Sequence, residues 1–226
     1  MAIPLRRRGR TPPPRPLMII GQTPGPGNAR GPRTLRTVVG VSASPSNPLD
    51  ELVHDLILRV PDPLSLVPGP WPVPTGQPGV GDEALRALLA DDWAGTRMSA
   101  AKMSRLIDSQ LVSRHRELEA DHPDARDLGI CRQGQTVGRL LLDLDTELPS
   151  ARPPVVLVDI ALHPDHRRSG IGSTVARALL DTAAQHQRSV HATGVYGSSA
   201  LGWLLRLGLV DVGGDALYRQ LVWPGP

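Results

Sequence analysis

Residues 155–173 read VVLVDIALHPDHRRSGIGS, and the way this stretch folds decides the architecture of the chain. Val155 to Leu162 is β-branched and apolar, and short enough to be a buried strand. His163 to Ser173 follows as a loop carrying Gly170 and Gly172, and then Ile171, Val175, Leu179 and Ala183 recur about once per turn. A strand therefore runs through a glycine-containing loop straight into a helix. The first N–H groups of a helix have no intrahelical partner, and the helix dipole adds partial positive charge there. Such an end suits phosphate. Gly170 and Gly172 allow a pyrophosphate close to the backbone, and Arg167 and Arg168 place fixed positive charge beside it.

Other glycine loops fit less well. A dinucleotide fingerprint needs a third glycine three residues after the second, and position 175 is Val. A Walker loop needs Gly-Lys-Ser/Thr, which this stretch does not contain. From the glycines alone, a tight strand-to-helix turn without a ligand remains open.

Working outward, Asp82 to Asp92 has a helical pattern. Ser99 is placed to cap a longer helix to about Ala120, with Met103, Leu106, Ile107, Leu111 and Leu118 at helical spacing. Leu128 to Arg132 and Thr136 to Asp143 read as a hairpin around Gln133-Gly134-Gln135. Downstream, Ser189 to Val195 reads as a strand, Ser198 to Leu207 as a helix, and Asp215 to Trp223 as a last strand.

The front of the chain has another texture. Of the 24 prolines, 17 lie in the first 80 residues. No acidic residue precedes Asp50, whereas eight arginines do. Residues 1–33 read as a disordered, basic, Pro/Gly-rich tail. Within 34–82, Leu35 to Val41 is a candidate first strand and Asp50 to Arg59 a short amphipathic helix. Residues 60–82 read as a Pro-rich linker or surface loop outside the core. Residues 83–226 form the main body, so the expected organisation is one domain with a tail. No apolar run approaches the ~20 residues that span a bilayer. Cys131 is the single cysteine, which excludes a disulfide scaffold. Phenylalanine is absent, so the core must be aliphatic.

Arg167-x-x-Gly170-x-Gly172, preceded by Ile160-Ala161-Leu162-His163-Pro164, resembles the acetyl-CoA-binding signature of the GNAT acetyltransferase superfamily. Leu207-Gly208-Leu209 resembles the Leu-Gly-Phe that closes that family's fourth helix, and residues 106–115 resemble a long second helix of a bacterial subgroup. The likeness covers about residues 83–223. It implies an α/β fold of the acyl-CoA N-acyltransferase type. That fold is a mixed, mostly antiparallel sheet of six or seven strands, split between strands 4 and 5, with helices on both faces. It further implies acetyl-CoA as cofactor. The backbone of Ile160, Ala161 and Leu162 would hold the pantetheine arm, and Arg167, Arg168, Ser169, Gly170, Ile171, Gly172 and Ser173 would cradle the pyrophosphate.

The activity this resemblance implies is transfer of an acetyl group to an amine, on a small molecule or a protein. The family's general acid, a Tyr three residues before the Leu-Gly pair, falls on Leu204. The Asn that opens the same helix falls on Gly197 or Ser198, and Val190 to Val195 contains no carboxylate. Asp159, a carboxylate in an apolar strand, and Tyr196, just after the next strand, are the catalytic candidates. His191 lies on the same strand. His163 and His166 have no further Cys/His/Asp cluster to make a metal site. The departures from the family pattern motivate an alternative, a catalytically degenerate acyl-CoA-binding or protein-interaction module. A third reading has the basic head bind nucleic acid. A cytoplasmic, bacterial-type transferase without a membrane partner, and compatible with a homodimer, completes the expectation.

Overall fold

The computed structural model describes residues 47–74, 77–93, 95–147 and 150–225. The tail 1–33 and the candidate strand Leu35 to Val41 lie outside the described residues.

The first helix, α1 (Pro48–Arg59), begins where local chemistry directs. The Asn47 side chain accepts a hydrogen bond from the Leu49 amide at 3.0 Å, Pro48 supplies a helical φ, and Asp50 and Glu51 meet the positive end of the dipole. Leu49, Leu52, Val53 and Leu56 form its buried stripe.

The stretch 60–82 departs from the sequence reading. It contains β1 (Leu64–Pro68), paired antiparallel from Leu64↔Arg132 to Pro68↔Leu128 on β2 (Arg126–Arg132). Leu64 and Leu66 are core residues. Proline is tolerated because β1 is an edge strand and Pro68 ends it, where a missing N–H breaks no ladder on the outer side. Prolines on both sides hide the short alternation of Leu64, Ser65 and Leu66 in the sequence.

Two helices then cover one face: α2 (Asp82–Asp92), and α3 (Ala100–Asp121) capped by Ser99. The hairpin of β2 and β3 (Gln135–Leu144) and the strand β4 (Val155–Leu162) stand as expected. A short 3-10 turn at Pro164–His166 leads to α4 (Ile171–Gln185), β5 (Val190–Val195) and α5 (Ser199–Arg206). The last region divides into β6 (Val210–Gly214) and β7 (Tyr218–Trp223). Gly213 and Gly214 interrupt any apolar run there, so the sequence shows only the second strand of this hairpin.

The seven strands form one sheet in the order β1-β2-β3-β4-β5-β7-β6. Every neighbouring pair is antiparallel except β4 and β5. This is the mixed, mostly antiparallel sheet implied by the sequence. The largest core lies on the α1, α4 and α5 face, and includes Leu140, Leu142, Val155, Leu157, Leu179 and Leu221. The opposite face packs Leu85, Leu88, Leu89, Ile107 and Leu111 over Ala161. Leu209, which stands where the resembled Leu-Gly-Phe has phenylalanine, is buried, as is Leu111.

β3 and β4 approach very closely at Gly138, paired with Leu162. A Cβ there would overlap the Ala161 carbonyl oxygen and come within 2.6 Å of Leu162 Cδ2. Gly138→Ala is therefore expected to cost about 1–3 kcal/mol through forced strand separation. Thermal melting should show a midpoint lowered by roughly 2–10 °C. An unchanged midpoint would mean that these strands part freely.

Candidate functional site: where β4 and β5 part

β4 and β5 hydrogen-bond as a parallel pair only over Val155↔Val190, Val156↔His191 and Leu157↔Ala192. On its other side β4 stays paired with β3 up to Leu162, and the register shifts between Leu141 and Leu142. Leu142 faces Leu157 and Leu141 faces Asp159, so Val158 is the extra residue of a bulge. The bulge bends β4 just where it leaves β5. Beyond it, Ile160 to Leu162 have strand backbone with no partner from β5 among the described pairs.

One cavity of about 420 Å³ opens beside this free edge, with Ile160 and Leu162 on one wall and Ala200 and Trp203 of α5 on another. Its floor is the start of α4, at Gly170, Gly172 and Ser173. The first intrahelical bond there runs from the Thr174 amide to the Gly170 carbonyl at 2.9 Å, so the amides of Ile171, Gly172 and Ser173 precede it. Arg167, Arg168 and Arg206 line the same cavity, and no carboxylate does. Dipole and side chains thus give one electropositive pocket. The Trp203 indole N–H donates to Ser173 Oγ at 3.0 Å, leaving the Ser173 hydroxyl hydrogen available to a ligand.

The two glycines do different work. Gly170 has φ +85°, and a Cβ placed on it would meet nothing within 4 Å, so it is kept for its left-handed backbone. Gly172 is ordinary helix, and a Cβ there would touch Leu162 Cδ1 at 3.6 Å and Trp203 Cζ2 at 3.7 Å. It is kept for space in the cavity. Of the other residues named from the sequence, Ile171 is buried in the core, and Ser169 Oγ donates to the His166 carbonyl at 2.6 Å. The Ala161 side chain packs under α2 and α3.

The catalytic candidates fare differently. Asp159 lines neither this cavity nor the one described next, and its carboxylate lies 3.0 Å from the Arg114 guanidinium, both nearly buried. Its place on β4 is taken up by an ion pair to α3. Tyr196 is 70% exposed and also lines neither cavity. Leu204 is buried in the main core.

A second cavity, about 360 Å³, lies on the α3 side of the split. Val156, Leu157 and Val158 of β4 and His191, Ala192 and Thr193 of β5 form its base. The sequence puts His191 on β5 but gives no sign of Glu117, Asp145 and Glu147, which line the same cavity. They come from α3 and from the loop after β3, segments that only the fold brings together.

Under α2 and α3 lies a set of buried charges. Arg139 and Asp127 are both fully buried and bonded Nε to Oδ1 at 2.8 Å. The guanidinium lies over the Trp71 ring, 5.4 Å from its centroid. Burial pushes the Asp127 carboxyl up to about 6, against the pull of Arg139. Burial also acts upward on Asp82, but its hydrogen bond and ion pair with His115, the Gly79 amide and the charge of Arg139 outweigh it. The Asp82 carboxyl is held below the usual range. Among the described residues no group of His, Cys, Asp and Glu is arranged to hold a metal ion, and no helix is long and apolar enough to cross a membrane.

A sheet splayed at one parallel pair, with a basic helix start at the opening, defines the acyl-CoA N-acyltransferase class of fold. A model of the GNAT acetyltransferase family matches residues 83–208, more than half of the sequence. The chain belongs to that family. Structural likenesses include a protein from Pyrococcus horikoshii (11% identity, TM-score 0.47, covering 70% of this chain and 96% of that one). An acetyltransferase from Thermus thermophilus gives 18% identity and TM-score 0.46 over 71% and 96%. The paia N-acetyltransferase from Thermoplasma acidophilum, in complex with coenzyme A, gives 15% and 0.44 over 62% and 88%. No curated protein sequence matches significantly.

Proposed function

We propose that this chain transfers the acetyl group of acetyl-CoA to an amine. The observation that carries this reading is the continuity of the basic cavity with the free edge of β4. Arg167, Arg168, Arg206 and the amides opening α4 suit the pyrophosphate, and Ile160 to Leu162 offer strand backbone to the amide groups of the pantetheine arm. A thioester threaded this way ends where β4 and β5 separate. The cofactor supplies the activated acyl group there; the protein holds it, excludes water and receives the amine. Proximity and orientation of two bound reactants account for much of the rate in such a transfer.

Leu204 supports a second reading, an acyl-CoA-binding module without turnover. A side chain packed in the core cannot protonate a leaving thiolate. Calorimetry of the full chain with CoA and acetyl-CoA tests what the two readings share, with binding in the micromolar range expected. No heat of binding to either would remove both. Given binding, thiol release across a panel of amines separates them: release above the hydrolytic background supports the enzyme, and its absence supports the silent module.

A further inference from the structure

We propose that the cavity on the α3 side of the split receives an amine bearing a second positive charge, and that His191 takes the proton the attacking nitrogen must lose. This assignment rests on the acetyl-transfer reading above and specifies its acceptor.

Position comes first. β4 contributes Ile160 and Leu162 to the basic cavity and Val156 to Val158 to this one, so the two follow one another along one strand, on either side of the point where its pairing with β5 ends. An acyl group arriving along the edge of β4 faces this second cavity.

Charge comes next. Glu117 from α3 and Asp145 and Glu147 from the loop after β3 line the cavity. Its one fixed cation, Arg114, is already engaged, 3.0 Å from Asp159, and His122 Nδ1 lies 2.8 Å from Asp143. The balance is negative, and it favours an acceptor with more than one ammonium group.

The imidazole completes the site. His191 Nε2 lies 3.4 Å from Ser189 Oγ, and Nδ1 lies 3.9 Å from Asp145 Oδ2. With Nε2–H donating to Ser189, Nδ1 carries its lone pair toward Asp145. The 3.9 Å gap is too long for a hydrogen bond, but an ammonium placing one N–H on each acceptor at about 2.8 Å spans it. Burial lowers the affinity of His191 for a proton, with Asp145 opposing, which favours the unprotonated ring at neutral pH. Beyond Asp145, the titratable or charged groups that line the cavity with His191 are Glu147, Arg114, Glu117 and His122, and Gln220 of β7 is neutral.

The step balances as follows. The ammonium gives one proton to His191 Nδ1, and the nitrogen lone pair forms the C–N bond at the thioester carbonyl. The C–S bond then breaks, the thiolate takes the second N–H proton, and His191 returns its proton to solvent. The products are the N-acetyl amine, CoA thiol and one proton.

Steady-state acetylation of spermidine and of n-butylamine, with CoA affinity measured beside it, tests the assignment. Spermidine should exceed butylamine in kcat/KM by at least tenfold. D145N combined with E147Q should raise the spermidine KM at least tenfold with CoA affinity unchanged. H191Q should lower kcat at least a hundredfold and flatten the acid limb of the wild-type pH profile, again with CoA affinity unchanged. Equal use of the two amines, or an H191Q enzyme with wild-type kcat and profile, would overturn the proposal. So would a protein that binds CoA but neither binds nor acetylates spermidine. Loss of CoA binding in the wild-type chain would instead remove the acetyl-transfer reading itself.

Discussion

Asp127→Ala is expected to destabilise the fold by about 3–5 kcal/mol, because it strands the Arg139 guanidinium with no exposure to solvent. In chemical denaturation at pH 7 the midpoint should fall while the slope stays constant. The two terminal nitrogens of Arg139 already lack hydrogen-bond partners, and what stays near the guanidinium, the Trp71 ring and the charge of Asp82, makes no hydrogen bond to it in place of the lost carboxylate. A double variant, D127L with R139M, should recover most of the loss, since a buried pair exchanged for apolar groups of similar volume is often close to neutral. Equal destabilisation by the single and double variants would contradict this account.

The pair also sets a pH dependence whose sign is unusual for an ion-paired aspartate. Burial raises the folded Asp127 carboxyl to about 6, above its unfolded value of about 3.9. The folded state therefore binds more protons between these values. The increment that protonating folded Asp127 adds to stability is fully present below about pH 4 and is lost as pH rises through about 6, by roughly 3 kcal/mol at most. Denaturation of the wild type and of D127N between pH 4 and 7 should diverge by that slope. Parallel curves would show that the carboxyl titrates normally.

Gly172→Val is expected to abolish coenzyme binding without unfolding the protein. The neighbours of the new Cβ stand at ordinary contact distance, so the helix accommodates it, while the branched methyls occupy the mouth of the basic cavity. A loss of CoA affinity of at least about 100-fold, roughly 2.7 kcal/mol, is expected by calorimetry, with a melting midpoint close to wild type. Gly170→Ala should behave in the opposite way. It fills no crowded space but forces a side chain into a φ of +85°, and should lower stability by about 1 kcal/mol. If the two variants weakened CoA equally with no change in stability, the distinction between the glycines would fail.

Much of the site was legible because it is local. The strand Val155–Leu162, the loop through Arg168 and the helix from Ile171 are contiguous, so the elements follow from local spacing, and the family resemblance of the same stretch implies their chemistry. The same holds for α1, whose cap, proline and acidic first turn stand side by side in the chain. β1 was not legible, because its core-facing alternation is only Leu64 and Leu66 among prolines, and its partner lies more than sixty residues away.

What the sequence by itself determined, then, is the strand-loop-helix that presents basic charge and free amides to a phosphate, and with it the family. What only the tertiary structure decided is the company each charged residue keeps. Asp159 pairs with Arg114 from α3, Arg139 is closed in by Asp127 and Trp71, and Tyr196 is turned to solvent. Asp145 and His191 meet across β4, forty-six positions apart. Local structure depends on neighbours along the chain, whose steric and hydrogen-bonding limits are written in sequence order. The electrostatics of a cleft depends on which groups the packing brings within a few ångströms, and on how much water it removes from between them.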